Sequence, residues 1–198
     1  MEALRDHLSE IAIAAALAWG SGLRVYAALL FVGLAGRLGW IELPQPLEVL
    51  AHPLVLGASG FMTLVEFFAD KLPWVDSVWD AVHSFIRIPA GAALAAAVFA
   101  DSGAAVMLAA SILGGGIAAG THFTKAGGRA VINASPEPVT NWAVSFAEDG
   151  LVPAGLWLAI AHPLVFLALL CVFAFAAALL LRQIARGLGL LLARLRGR

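Results

Sequence analysis

"VEFFADKLPWVDSVWDAVHSFIRIPAG" (residues 65–91) sets Glu66, Asp70, Lys71, Asp76, Asp80, His83 and Arg87 between two apolar runs. What those charges can do depends on what surrounds them. The 198 residues are 62% hydrophobic and 13% charged, with a mean hydropathy of +0.92. A soluble domain is roughly 45–50% apolar and about 25% charged. An apolar excess spread along the whole chain predicts a single integral membrane domain over 1–198, built as an all-α bundle. A net charge of −1 with no basic stripe excludes a nucleic-acid partner. The single cysteine, Cys171, lies in an apolar run and cannot close an internal disulfide. The opening "MEALRDHLSE" is acidic, unlike the basic start of a cleavable leader, so the first apolar segment is expected to be retained.

Working outward from the quoted stretch, apolar runs predict about six spans, near 11–36, 52–69, 85–100, 104–120, 143–160 and 163–181. The first is interrupted by "WGSGLR". The purely apolar part of the third, Ile88 to Ala100, would extend only about 20 Å as a helix, short of a hydrocarbon core of about 30 Å. "ADSG" at 100–103 predicts a tight turn before the fourth. Arg182, Arg186, Arg194, Arg196 and Arg198 orient the C-terminus to the cytoplasm, and an even span count brings the N-terminus to the same side. Two polar segments, near 70–87 and 121–149, then fold back at the cytoplasmic side of the bundle. "AHPLV" occurs at 51–55 and 161–165, and "IPAG" at 88–91 is echoed by "VPAG" at 152–155. These echoes predict an internal duplication, with repeats near 52–101 and 104–161, as transporters often carry.

As a helix, the first polar segment sets Asp76, Asp80, His83 and Arg87 at i, i+4, i+7 and i+11, on one face. Val75, Val78, Trp79, Val82 and Ile86 fall opposite. One reading is an interfacial helix with its charges in water. The other starts from two like-charged pairs, Glu66 with Asp70 and Asp76 with Asp80. Such pairs need a proton, a cation or a basic partner where water is scarce. Asp76, Asp80 and His83 could also hold a divalent metal; no other cofactor is expected. The second segment supplies Lys125 and Arg129 at i, i+4, with Gly127 and Gly128 between them to admit a ligand to the backbone, then Asn133, Glu137, Asn141, Glu148 and Asp149. Pro136 and Pro138 interrupt any helix there.

"GSGLRVYAALL", the quoted stretch, "GTHFTKAGGRAVINASPEPVTNW" and "SFAED" resemble a bacterial membrane family catalogued as domain-of-unknown-function family 4126. The resemblance covers nearly the whole chain. It implies a compact polytopic protein of the bacterial inner membrane.

On the residues alone, the charges of both segments form one polar site. That favours a transporter or permeation pathway for a small or lipid-linked anion. The rival is a membrane-embedded enzyme acting on a phospholipid headgroup, with His83 as general acid or base, Asp76 and Asp80 as its orienters or as metal ligands, and Lys125 and Arg129 clamping phosphate. A non-catalytic scaffold is the third reading. Membrane lipid is the expected partner, and a homo-oligomer is compatible with the composition.

Overall fold

A computed structural model describes residues 2–133 and 138–196, with side chains over 7–72, 75–132, 139–187 and 189. Six α-helices follow in order: α1 (Glu2–Arg37), α2 (Pro53–Ala69), α3 (Pro73–Val98), α4 (Ala104–Asn133), α5 (Pro138–Ala161) and α6 (Pro163–Arg196). Short 3-10 helices, Gln45–Ala51 and Ala100–Ser102, precede α2 and α4. No strand occurs among the described residues.

The distribution of side chains is inverted relative to a soluble domain. Leu54, Phe61, Phe85, Leu108, Leu164 and Phe175 are exposed, while Arg24, Glu66, Asp70, Asp76 and Arg87 are wholly buried. Such an apolar exterior is stable only in lipid. Five helices are long and apolar enough to cross a membrane, and the 3-10 helix with α2, bent by 66°, would make a sixth.

Most of both polar stretches turns out to be helix continuous with a span. α3 begins at Pro73 and runs unbroken to Val98. Its 26 residues extend about 39 Å, so the third span is not short. Pro73 suits a helix start because its missing N–H is one that no helical carbonyl would accept. "THFTKAGGR" belongs to α4, which lies along α3. The turn expected at 100–103 is present, closed by Gly103 at φ +91, a backbone region open mainly to glycine.

α1 is the central helix, packed on all the others, and it is not straight. Arg24 has extended backbone angles, φ −147 and ψ 87. A Cβ placed on Gly20 would lie 3.3 Å from the Ala28 Cβ. Eight residues of unbroken helix would hold those positions about 12 Å apart. The chain therefore doubles back at Arg24. The aromatic contacts agree. Trp19 lies against Gly155, and Trp40, beyond the end of α1, meets Trp157 on the same helix at 5.9 Å. Non-helical backbone at membrane depth is tolerated where protein encloses it, and Arg24 is fully enclosed.

The interior divides by depth. Near the start of α1, Ala12, Ala14, Ala16 and Leu17 belong to an apolar core with Leu94, Ala95 and Val98 of α3. Small residues let the backbones approach: a Cβ on Gly22 would stand 2.5 Å from the Ala118 carbonyl oxygen. Beyond Ser21, whose hydroxyl donates to the Arg87 carbonyl at 2.8 Å, the interior becomes polar.

Candidate functional site

Five helices and one turn supply the polar half. Glu66 ends the buried face of α2, and Asp70 and Lys71 occupy the turn after it. The i, i+4, i+7, i+11 face of α3 brings in Asp76, Asp80, His83 and Arg87, all buried. α4 contributes His122, Lys125 and Arg129; α5 contributes Asn141, Ser145, Glu148 and Asp149. α1 inserts Arg24 at its reversal. From Asp76 to Arg87 the α3 face spans about 16 Å, roughly half of a hydrocarbon core.

Arg87 bridges two acids, donating to Glu66 at 2.5 Å and to Asp80 at 2.6 Å. Lys125 stands 2.8 Å from Asp70, 3.3 Å from Glu148 and 3.7 Å from Asp80, and donates to the Leu23 carbonyl at 3.3 Å. That carbonyl lies just before the break in α1. Arg24 reaches Asp70 at 2.8 Å and Asp149 at 3.0 Å and donates to Ser145. Arg129 grips Glu148 with two nitrogens, at 3.0 and 3.4 Å, and donates to the side chain of Asn141. Lys71 and Asp149 form a pair at 3.5 Å on the rim. Asp70 lies outside the membrane-crossing helices. Burial works to raise its pKa, but Lys125, Arg24 and Arg129 outweigh burial and hold it below the usual carboxylate range.

The two histidines occupy fixed roles. His83 Nδ1 donates to the Trp79 carbonyl at 2.8 Å, which leaves Nε2 to accept from the Tyr26 hydroxyl at 3.2 Å. His122 Nδ1 faces an Arg87 nitrogen at 3.4 Å. A guanidinium only donates, so His122 Nε2 carries the proton toward the Ser84 hydroxyl at 2.7 Å, and Ser84 donates to the Asp80 carbonyl.

The tally of charge is uneven. Among the described residues, five carboxylates are buried (Glu66, Asp70, Asp76, Asp80, Glu148) against four fixed cations (Arg24, Arg87, Lys125, Arg129). Counted formally, with neutral histidines, that is one acid more than there are cations. Spare hydrogen-bonding capacity lies on both sides: Glu66 Oε2, Asp70 Oδ1 and Asp80 Oδ2 have no protein donor, and Arg24 Nε and Arg87 Nε have no acceptor.

The metal ligands expected from the sequence are regrouped. Asp70, Asp76 and Asp80 bring carboxylate oxygens within 4.8 Å of one another. His83 is outside this set, its nitrogens engaged with Trp79 and Tyr26. Three hard oxygen donors suit Mg²⁺, Ca²⁺ or Mn²⁺. The Lys125 ammonium, within 4 Å of two of the three carboxylates, opposes a second cation there.

Gly127 admits a neighbouring helix rather than a ligand, since a Cβ there would lie 2.8 Å from Ile184 of α6. Glu137 and the side chain of Asn133 lie outside the described residues. The sequence reading missed Arg24, His122, Ser145 and Tyr26. Arg24 had a signal, as a lone base inside an apolar run. His122 had another, one turn before Lys125 on the same face of α4.

The family model described as Domain of unknown function (DUF4126) matches residues 11–183. The chain belongs to this family. No curated protein and no solved structure matches it. The matched residues include every member of the DUF4126 chain's buried network described above, from Arg24 on α1 to Asp149 on α5.

Proposed function

We propose that the protein is a proton-linked transporter or permeation pathway of the bacterial inner membrane, with the buried network as its proton-binding site. The observation that carries this reading is the uneven charge: five carboxylates and four fixed cations enclosed within the bundle. A buried network of this kind is often no more stabilising than apolar packing of the same volume. A scaffold would therefore gain little from it. A charge deficit of one, with carboxylate oxygens lacking donors, matches a site that gains and loses a proton. The doubled-back α1 supports the same reading, because broken helices that meet polar residues near mid-depth are a recurring transporter device.

The anion considered from the sequence finds its bases engaged: Lys125 and Arg129 each face two or more carboxylates. Protonation of one carboxylate would loosen a base, so an anion fits best as a passenger that travels with a proton. The metal-dependent form of the enzyme reading would place its ion at Asp70, Asp76 and Asp80, where Lys125 competes.

Purified protein in liposomes, driven by a potassium gradient with valinomycin, tests the proposal. Proton uptake is expected in the parent and should fall about tenfold or more in Glu66→Gln and Asp80→Asn. Uptake no faster than in empty liposomes, or unchanged in both folded variants, would overturn it.

A further inference from the structure

A cavity of about 240 Å³ lies between α3 and α4 in the polar half of the bundle. Its polar lining includes Asp80, Ser84, His122 and Arg129, and small side chains such as Ala81 and Ala126 keep it open. Three other cavities are lined mainly by apolar side chains. We propose that this cavity is the aqueous port of the network, admitting water to Asp80 from the side of the membrane where α4 and α6 end.

Two independent features support the port. Most of the lining is apolar, but lipid chains cannot solvate the carboxylate and guanidinium set in its wall, whereas several waters fit the volume. Asp80 lines the cavity but is only 4% exposed; its Oδ2 is enclosed and has no protein donor, while Oδ1 is taken by Arg87. The groups around Asp80 come from every neighbouring element. Arg87 and Asp76 lie on its own helix, His122, Lys125 and Arg129 on α4, and Asp70 on the turn after α2. Asp80 is thus the carboxylate joining the cavity to the interior, and Arg87 links it onward to Glu66. The port deepens the proton-linked reading by giving its route, though the geometry stands without it.

Cysteine accessibility tests the port without a transport assay. Cys171 is replaced by Ala, and single cysteines are placed at Ala81, Ala126 and Val82. Ala81 is exposed toward this cavity, while Val82 is exposed on the face of α3 that carries Val75 and Val78 and lines a different, apolar cavity, only about 1.5 Å away in depth. A charged thiosulfonate reacts with the thiolate, which forms in water and not in lipid. Applied from the side of the C-terminus, it should label Ala81→Cys and Ala126→Cys roughly tenfold faster than Val82→Cys. Adding Ala126→Phe should suppress labelling at Ala81→Cys. Equal rates at Ala81→Cys and Val82→Cys would overturn the port. So would reaction of both cavity cysteines with a lipid-soluble maleimide alone. Labelling without proton uptake in liposomes keeps the port and removes the proton-linked reading; uptake without labelling does the reverse.

Discussion

Asp70 and Glu148 face the same three cations, Arg24, Lys125 and Arg129. Arg24 is the member whose loss should be felt most widely, because it ties α1 to the α2–α3 turn and to α5. Arg24→Met leaves Asp70 and Asp149 short of a partner and should cost about 3–5 kcal/mol. Arg24→Lys should recover part of that, having the charge without the forked reach. Thermal midpoints in detergent would show both effects. Asp70 adds a pH dependence. Its folded pKa lies below the ordinary value of about 3.9, so its contribution is complete above that value and fades as pH falls through the folded pKa. The parent should lose stability below about pH 4 more steeply than Asp70→Asn, which starts lower and stays flatter. Parallel curves for the two proteins would show that Asp70 is not the group responsible.

Among the elements, α3 was half legible. The i, i+4, i+7, i+11 spacing gave its polar face correctly, and Lys125 and Arg129 could be named as partners for the acids. Its depth was not legible, because hydropathy scores each charge as though it faced lipid or water and cannot register a carboxylate neutralised by another helix. The same blindness split α4 at Thr121. α5 repeats the α3 pattern. The third, seventh and tenth positions after Pro73 are Asp76, Asp80 and His83; after Pro138 they are Asn141, Ser145 and Glu148, and all six are buried. That shared register is what a duplication would leave. Helix contacts make a sharper prediction. Gly22→Ala would set a methyl 2.5 Å from the backbone oxygen of Ala118 and 2.7 Å from the Thr121 Cβ, forcing α1 off α4. It should cost about 1–3 kcal/mol. Gly116→Ala and Gly120→Ala meet open space and should leave the melting temperature unchanged or slightly raised.

At the scale of the whole molecule, the reversal of α1 changes how many times the chain crosses the membrane. Counted by length, α1 is one span, and six spans put both termini on one side. Composition could not reveal otherwise, since a single extended residue makes the reversal and both halves remain apolar. Yet Trp40 returns to the level of Trp157. Residues 25–37 extend only about 20 Å, too short to cross a core of about 30 Å. α2 then starts from that same end: Arg37 donates to the Ala51 carbonyl at 3.3 Å, just before Pro53, and α2 descends until Glu66 meets Arg87. On that geometry α1 is expected to enter and leave on one face, leaving five crossings to α2 to α6. An odd number sets the termini on opposite sides. The arginines of the last segment favour the cytoplasm for the C-terminus, so the N-terminus is expected outside. Ser9→Cys in a Cys171→Ala background should react with an impermeant thiol reagent on intact spheroplasts, and a C-terminal fluorescent reporter should mature inside the cell. Both termini in the cytoplasm would mean that α1 crosses after all, and its reversal at Arg24 would have to be abandoned as a feature of the protein in the membrane.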